Sequence, residues 1–424
     1  MPDGLAVWLY RIRVATIEQR RGGDLRLTYT REALDRFPLG MPLLSLHLPL
    51  LETGYPNGAT RAFLDGLLPE AESRATIAAS FDLVAKDTFG LIRVLGRDCA
   101  GALMVVPDDG TTPDQPTTFR ATPLSETELG DLIRGLPARP LAVGRDTRVR
   151  LSLAGVQDKL ALTRMPDGRW GLPVDGAPST HIVKPQHAVY PNTVENEAFC
   201  MRVAKHAGLP AAEVEVISVE GRNLLAVKRY DRVVAPDGVV KRLHQEDFCQ
   251  ALGIPPEKKY QAHGGPSLRQ VARILGTAAT DPDSPDALFK ATTLNVLLGN
   301  ADAHGKNFSL LYGEDGSLQL APLYDLVSTL SYSERNPAYD ALDDRLAMYV
   351  DTVQHLPRVT SPRLVAEAEG WGMPKARAAA LIADLLDRLP TAIRTAADEI
   401  EGTPPKVRET LEKELGVIRD SLVR

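Results

Sequence analysis

The chain has 424 residues, of which 44% are hydrophobic and 25% charged, values typical of a soluble globular protein long enough for two or three packed units. Its 49 Lys and Arg residues against 55 Asp and Glu residues give a formal net charge of −6, which argues against a nucleic-acid binder that works through a basic surface. Three scattered cysteines (Cys99, Cys200 and Cys249), no evident signal peptide and no long apolar run predict a cytoplasmic protein with reduced thiols and no membrane span.

The first predicted unit, residues 1–123, combines short strands with a helix. The predicted strands are Ala6–Val14, Leu25–Tyr29 and Leu43–Leu50, followed by a helix near Arg61–Leu68. Leu91–Val106 is apolar and punctuated by glycines, which predicts a strand pair. The polar residues 107–123 are typical of a loop or linker, so we place a boundary there.

The second predicted unit, residues 124–242, is rich in strands and turns, and the third, residues 243–424, is mainly helical. Asn192–Leu209 has the apolar spacing of a helix, and Glu213–Val219 with Asn223–Tyr230 predict a hairpin. The third unit contains one predicted hairpin, Phe308–Tyr312 with Leu318–Leu323. A β-rich lobe that leads into an α-rich lobe is the plan of a two-lobed kinase.

Asp302, Asn307 and Asp325 follow each other in the order in which protein kinases place a catalytic Asp, a metal-binding Asn and a metal-binding Asp. Phosphoryl transfer needs a carboxylate near the attacking hydroxyl, and Mg²⁺ prefers hard oxygen ligands. Asp302 fits the first role, and Asn307 and Asp325 fit the second. The alternative is that Asp302–Asn307 is a polar turn between a helix and a hairpin. The spacing alone is a weak signal, and the later Asp325 and the preceding β-rich lobe strengthen the kinase interpretation.

Lys184 ends an apolar predicted strand, where a kinase needs a lysine that holds the α- and β-phosphates. Such a lysine is oriented by a glutamate on the following helix. Glu197 is the natural candidate for this glutamate, and Glu195 is the less favoured one. The alternative is an ordinary surface lysine before a proline.

Leu151–Lys159 predicts a loop between two strands, in which Ala154 and Gly155 allow backbone N–H groups to approach a phosphate closely. The loop matches neither GxGxxG nor GxxxxGK[ST], so an ordinary hairpin loop is the alternative. Ser152 would accept a phosphate only if this loop can swing out to solvent.

His304 lies beside an Asp and an Asn, where a structural hydrogen-bonding role is favoured over metal binding or general base catalysis. The other seven histidines form no cluster with metal-ligand spacing. The chain also lacks the GxSxG motif of a nucleophile elbow.

Motifs along nearly the whole chain resemble the HipA family of bacterial serine/threonine kinase toxins. In the N-terminal region they are Pro42–Pro49, Phe63–Glu70 and Gly96–Ala102. In the remainder they are Ser152–Lys159, His181–Lys184, Asn196 with Glu197, Val227–Arg232, His244–Gly253, Asp302–Asn307 and Tyr324 with Asp325. Each motif alone is weak, but the ordered set is highly specific.

The resemblance implies an α+β, two-lobed protein-kinase-like (HipA-like) fold with a β-rich N-terminal lobe and an all-α C-terminal lobe. It implies a non-specific serine/threonine protein kinase that uses ATP and Mg²⁺. The ATP-binding residues that it implies are Ala154, Gly155, Val156, Gln157, Asp158 and Lys159 of a phosphate-binding loop, Lys184, the adenine segment Lys228, Arg229 and Tyr230, and His304, Lys306, Asn307, Tyr324 and Asp325. Lys228 stands where some relatives carry an acidic residue, but backbone groups make most adenine contacts there.

The same resemblance implies that Asp302 is the catalytic aspartate and that Asn307 and Asp325 are the Mg²⁺ ligands. It identifies Ser152 as the autophosphorylated serine. In the family, phosphorylation there expels the loop from the ATP site and switches the kinase off. A phosphate adds close to two negative charges, which would repel the ATP phosphates in the same cradle.

Family targets are aminoacyl-tRNA synthetases, above all the glutamyl enzyme, whose loss of activity stalls translation and arrests growth. The implied partner is a small HipB-like helix-turn-helix antitoxin, through which the chain would meet DNA only indirectly. Two other functions stay open, a small-molecule kinase of the aminoglycoside or lipid-kinase type and a catalytically idle corepressor scaffold. The N-terminal region and the Ser152 loop argue against the first, and the intact Lys184, Asp302, Asn307 and Asp325 argue against the second.

Overall fold

The N-terminal part of the chain folds as an antiparallel four-stranded sheet with helices packed on it. In the computed structural model, which describes residues 4–115, 117–118, 120–144, 147, 149–155 and 157–422, the strand order is β3-β2-β1-β4. Strand β1 directs Leu5, Val7 and Leu9 into a core of this unit. The elements are β1 (Gly4–Leu9), β2 (Ile12–Gln19), β3 (Leu25–Tyr29), α1 (Arg31–Arg36), α2 (Asn57–Leu67), α3 (Ala71–Ser80), α4 (Thr88–Leu95) and β4 (Leu103–Pro107).

Three strand predictions in this unit are wrong. Ala6–Val14 is not one strand, because a turn at Tyr10 and Arg11, both with positive φ, divides it between the antiparallel strands β1 and β2. Every residue of Leu43–Leu50 is described, and the segment is a buried succession of bends and turns. Pro42 and Pro49 lie at its two ends and lack the N–H group that a strand ladder requires. The strand pair predicted for Leu91–Val106 is instead the end of α4 followed by β4. Asp87 starts that helix, because its side chain accepts a hydrogen bond from a backbone N–H of the first turn.

A second, six-stranded sheet occupies the middle of the chain, in the order β5-β7-β6-β8-β10-β9. The predicted hairpin of Glu213–Val219 with Asn223–Tyr230 is confirmed as β9 and β10, which pair in antiparallel register. Strand β8, next to β10, carries Lys184, and the following helix α6 carries Glu197. The elements are β5 (Ala121–Pro123), α5 (Glu126–Arg134), β6 (Leu160–Arg164), β7 (Trp170–Pro173), β8 (His181–Pro185), α6 (Thr193–His206), β9 (Val214–Val219) and β10 (Arg222–Lys228).

The C-terminal part is mainly helical. Its helices are α7 (Phe248–Ala251), α8 (Leu268–Ala278), α9 (Ser284–Leu298), α10 (Ser361–Glu369), α11 (Lys375–Glu399) and α12 (Pro405–Leu422). Small sheets accompany them, made of β11 (Arg232–Val234) with β12 (Val240–Arg242), of β13 (His244–Asp247), β14 (Ser309–Tyr312) and β15 (Leu318–Leu320), and of β16 (Arg345–Val350) with β17 (Val353–His355). The α+β order is therefore as expected, with a C-terminal lobe that is mainly rather than wholly helical.

The apolar cores show how the parts of the chain are joined. The largest core lies in the helical part and includes the buried face of α6. The core of the N-terminal unit also takes in Val149, Leu151 and Leu153, which flank Ser152. Among the described residues, no helix combines the length and the apolar character needed to cross a membrane. The domain boundaries at residues 123 and 242 remain predictions.

Candidate active site

The loop that carries Asp302 is built from the end of helix α9. Gly299 ends the helix in a left-handed conformation, with φ of 70°, which favours glycine. The side chain of Asn300 then donates to Asn295 Oδ1 at 2.7 Å and accepts from the backbone N–H of Asp302 at 3.1 Å. The loop is therefore fixed to the helix before Asp302 is reached.

Asp302 is an exposed residue of this loop. Tyr260 donates its hydroxyl to Asp302 Oδ1 at 2.9 Å. Enclosure of the carboxyl group in the cleft raises the pKa of Asp302 to about 6, and the hydrogen bond from Tyr260 and the charge of Lys259 oppose that rise. A carboxylate with such a pKa is suited to accept a proton near neutral pH.

Asn307 and Asp325 lie in contact. Asn307 Nδ2 donates to Asp325 Oδ2 at 2.8 Å, and Asn307 Oδ1 accepts from the backbone N–H of His304 at 3.1 Å. Asp325 has a left-handed backbone with φ of 58°, an uncommon conformation that clusters at functional sites. The pair brings hard oxygen donors together, which fits a magnesium ion, provided that the amide of Asn307 yields its contact with Asp325.

The ammonium group of Lys184 joins two carboxylates. Its Nζ atom donates to the two oxygens of Glu197 at 2.8 and 3.0 Å and to Asp325 Oδ1 at 2.7 Å. Burial opposes the charge of Lys184, but Asp325 and Glu197 outweigh it and raise the pKa of the lysine. The partner on α6 is thus Glu197, whereas Glu195 accepts a hydrogen bond from Asn223.

The pKa values of Glu197 and Asp325 are shifted in opposite directions, because the one ammonium group of Lys184 cannot fully compensate two negative charges. Glu197 is 7% exposed, and burial raises its pKa to about 7 despite the contact with Lys184. Asp325 is 42% exposed. Burial opposes its ionisation as well, but Lys184 outweighs this effect and holds the pKa of Asp325 well below its usual range.

The predicted phosphate-binding loop lies against the N-terminal unit. Ser152 is fully buried, and its hydroxyl donates to the carbonyl oxygen of Leu67 at 2.6 Å. Gly155 has φ of 109°, a backbone conformation that L side chains rarely adopt, so the position favours glycine. Lys159 Nζ donates to the carbonyl oxygen of Ala154 at 2.6 Å.

The remaining predicted residues of this loop lie between Gly155 and Lys159. Gln157 and Asp158 are half-buried, and Val156 lies outside the described residues. Burial and the nearby charge of Lys184 lower the pKa of Lys159 to about 8. Among the described residues no carboxylate pairs with Lys159.

The predicted adenine segment presents its three side chains differently. Lys228 is exposed and pairs with Glu213 at 3.1 Å. The side chain of Arg229 is turned into a buried network and contacts Asp231 at 2.8 Å, and its backbone N–H donates to the carbonyl oxygen of Thr180 at 2.9 Å. The ring of Tyr230 lies 5.8 Å from that of Tyr324.

Three more predicted nucleotide residues mainly support the loop. The hydroxyl of Tyr324 donates to the carbonyl oxygen of Lys306 at 2.6 Å. Lys306 Nζ is held by Asp247 at 2.6 Å and does not contact the Asn307–Asp325 pair. His304 is buried, and burial lowers its pKa to about 3. Its Nδ1 atom accepts from the backbone N–H of Lys306 at 3.3 Å.

Sequence reasoning gave no role to Glu70, Lys259 or Tyr260. Glu70 accepts from the backbone N–H of Gly155 at 3.1 Å and pairs with Lys259 at 3.4 Å. Glu70 is the last residue of the Phe63–Glu70 motif, and that motif is the signal in the sequence that points to it. Lys259 and Tyr260 lie between two short 3₁₀ turns, and only the tertiary structure brings them to Asp302.

The described site therefore combines cationic and anionic groups of the kinds that a phosphotransferase requires. The ammonium group of Lys184 contacts Asp325 of the carboxylate–amide pair, and a second carboxylate, Asp302, is exposed and hydrogen-bonded to Tyr260. Such a site can neutralise phosphate charge and position a hydroxyl group for in-line attack.

Comparisons with known proteins identify the family of the chain. Residues 151–393, more than half of the chain, match the HipA-like C-terminal domain, and residues 5–106 match the HipA N-terminal domain. The chain is 41% identical over 374 residues, 87% of its length and 84% of the relative's, to the Sinorhizobium fredii protein Y4mE, which is named as a candidate kinase. It is 32% identical over 379 residues to the serine/threonine-protein kinase toxin HipA of Shewanella oneidensis, with 86% of this chain and 82% of that protein covered.

A solved structure extends the likeness to the fold. It is the complex of the Shewanella oneidensis toxin–antitoxin system HipA and HipB with its operator DNA. The match has a TM-score of 0.81 at 27% identity and covers 99% of this chain and 96% of the solved chain. The chain has the HipA-like kinase fold and belongs to the HipA family, homologous to the HipA toxin kinases.

Proposed function

We propose that this chain is an ATP-dependent serine/threonine protein kinase and the toxin of a HipBA-like toxin–antitoxin system. The observation that carries the proposal is the convergence of Lys184, Glu197, Asn307 and Asp325, with Asp302 on the adjoining loop. These five residues supply the chemical groups that a protein kinase needs.

Each side chain has a task in the proposed reaction. Lys184, oriented by Glu197, holds the α- and β-phosphates of ATP. The hydroxyl oxygen of the acceptor bonds to the γ-phosphorus while the bond to the β–γ bridging oxygen breaks, and ADP leaves with that electron pair. Asp302 accepts the hydroxyl proton. Mg²⁺ held by Asn307 and Asp325 supplies charge neutralisation on the phosphates.

The proposed partner is a HipB-like helix-turn-helix antitoxin, because the solved relative is bound to HipB and operator DNA. The net charge of −6 supports contact with DNA through that partner rather than directly. The proposed target is an aminoacyl-tRNA synthetase, with the glutamyl enzyme first, and growth arrest and persistence follow from the loss of charged tRNA. Such a toxin would act in the cytoplasm.

We also propose that Ser152 is the site of autophosphorylation that inactivates the kinase. Its hydroxyl is fully buried against Leu67, so the loop must leave its place before transfer. A phosphate on Ser152 could not return to a site that offers a carbonyl oxygen as its partner.

The test is incubation of the purified chain with Mg-ATP, followed by mass spectrometry of the intact protein and of its peptides. We expect one phosphate on Ser152 in the wild type and none in Asp302→Ala. Ser152→Ala should lose this phosphate and still transfer to a protein target. Labelling that persists in Asp302→Ala would reject the proposed catalytic role.

A further inference from the structure

The N-terminal unit contacts the first half of the Leu151–Lys159 loop at two points. At the start of the loop, Ser152 donates its hydroxyl to Leu67 at 2.6 Å. Three residues later, the backbone N–H of Gly155 donates to Glu70 Oε1 at 3.1 Å. Leu67 ends α2 and Glu70 precedes α3, so one short turn between two helices supplies both acceptors.

A second segment of the N-terminal unit holds the same loop by its backbone. The N–H of Ser152 donates to the carbonyl oxygen of Asp98 at 2.9 Å, and the N–H of Asp98 donates to Arg150 at 3.2 Å. The two segments form a parallel bridge, and the neighbouring Leu151 and Leu153 are buried in the N-terminal core. The loop is thus packed as a part of that unit.

Glu70 also connects the loop to the helical lobe. Its Oε2 atom lies 3.4 Å from Lys259 Nζ, and its Oε1 atom lies 3.9 Å from Lys306 Nζ. The backbone carbonyl of Lys259 accepts from Gly305, within the loop that carries Asp302. One carboxylate that is only 11% exposed therefore joins the N-terminal unit, the phosphate-binding loop and the catalytic loop.

We infer that the N-terminal unit is a clamp that holds the phosphate-binding loop in the cleft, and that Glu70 is the positioning residue of this clamp. The inference rests on the proposed function for its consequence, because release of the clamp would expose Ser152 to phosphorylation. A hydrogen bond that ends on a partly buried carboxylate is stronger than one between neutral groups, so the Gly155 contact is a substantial restraint. Loss of Glu70 should free the loop and leave Lys184, Asp302 and the Asn307–Asp325 pair unchanged.

The clamp can be measured without catalysis, by hydrogen–deuterium exchange of the full chain in the absence of nucleotide. We expect amide exchange over residues 149–155 to be about fivefold faster or more in Glu70→Ala than in the wild type. Glu70→Gln keeps an acceptor for Gly155 but loses the charge that faces Lys259 and Lys306, so a smaller rise of about twofold is expected.

Glu72→Ala is the matched control, because Glu72 is an exposed glutamate in the first turn of α3 and its loss makes the same charge change. Exchange over α11, far from the clamp, should stay unchanged in every variant. Equal exchange over residues 149–155 in Glu70→Ala and Glu72→Ala would overturn the inference. If Glu70→Ala raises exchange over the whole N-terminal unit, the isosteric Glu70→Gln becomes the deciding variant. Exchange at the wild-type rate over residues 149–155 in Glu70→Gln would also overturn the inference.

A second experiment measures the phosphorylation of Ser152 in the presence of Mg-ATP. We expect Glu70→Ala to accumulate phosphate on Ser152 several times faster than the wild type and Glu72→Ala. A wild type that gains no phosphate at all would contradict the proposed autophosphorylation, and the exchange experiment would still decide on the clamp. Slower labelling of Glu70→Ala together with faster loop exchange would contradict the link between release and Ser152 reactivity.

Discussion

At the scale of single residues, the lysines of the cleft differ in how fully their charge is compensated. Lys184 and Lys306 each contact a carboxylate, whereas Lys159 donates to the backbone carbonyl of Ala154 within the described residues. Burial lowers the pKa of Lys159 to about 8 for this reason. An incoming phosphate would supply the missing negative charge, so we expect Lys159 to become a phosphate ligand.

The hydrogen bond from Tyr260 to Asp302 gives a prediction on pH dependence. A general base works in its ionised form, so the transfer rate should fall as the pH drops through about 6, the pKa of Asp302. The bond from Tyr260 favours the ionised form, and its removal raises that pKa further. In Tyr260→Phe the acid limb of the rate profile should therefore move to higher pH, with a clear loss of rate at pH about 6 and little at pH about 8.

The measurement for this prediction is the initial rate of phosphate incorporation across that pH range. Tyr349→Phe is a suitable control, because Tyr349 lies on β16 and its backbone, rather than its hydroxyl, is bonded to Gln261. An acid limb at the wild-type position in Tyr260→Phe would contradict the assignment of Asp302 as the base that Tyr260 tunes.

At the scale of secondary-structure elements, helix α6 is hydrogen-bonded to the segment that follows Asp325. Asn196 is fully buried on this helix, accepts from the backbone N–H of Ser328 at 2.9 Å and donates to the carbonyl oxygen of the same residue at 3.1 Å. The next residue on the helix is Glu197. The position of the Lys184 partner is therefore tied to the backbone beyond Asp325.

We predict that Asn196→Ala lowers the free energy of unfolding by about 2 kcal/mol, because it leaves the buried backbone N–H of Ser328 without its partner. Since α6 also orients Glu197, phosphate transfer should fall as well. Urea unfolding and the transfer rate measure the two effects. Asn223→Ala removes an exposed asparagine with a single contact to Glu195, and it should change neither by much.

Predictability from sequence also differs between elements. The β9–β10 hairpin and the order of the site residues were recognisable because turn residues and local spacing carry them. The helix at Thr88–Leu95 was missed because its apolar residues also suit a strand, and only the cap at Asp87 distinguished the two. The contacts of Glu70 and Tyr260 join residues far apart in the chain, which no local pattern encodes.

At the scale of the whole molecule, a buried charge network joins the N-terminal unit to the second sheet and its neighbour strands. Asp98 of the N-terminal unit is 1% exposed and accepts from Arg232 at 2.9 Å and from Ser179 at 2.9 Å. Arg229 and Arg232 also contact Asp231. The N-terminal unit, which contacts the phosphate-binding loop, is thus itself held to the rest of the molecule by buried ion pairs.

Asp98→Ala should destabilise the chain by about 3–5 kcal/mol, because Arg232 would keep a buried charge with one partner fewer. Asp109→Ala, an exposed aspartate of the same unit, should cost little. Thermal or urea unfolding of both variants tests the difference.

The same network predicts how stability depends on pH. Burial opposes the ionisation of Asp98 and Asp231, but the arginines outweigh it and hold both pKa values below the usual range. Carboxyl groups with depressed pKa values in the folded state stabilise it above their unfolded pKa, about 4, and lose that contribution as the pH falls further. The wild type should lose stability below pH about 4, and Asp98→Ala should lose less over the same range.

The central claim is that a nucleotide and a magnesium ion bind in the cleft between Lys184 and the Asn307–Asp325 pair. The most direct measurement is a crystal structure of the chain with Mg²⁺ and a non-hydrolysable ATP analogue. We predict that the phosphates contact Lys184, that Asn307 and Asp325 hold the ion, and that the γ-phosphate faces Asp302. An analogue that binds elsewhere, or an ion without contact to Asp325, would contradict the account.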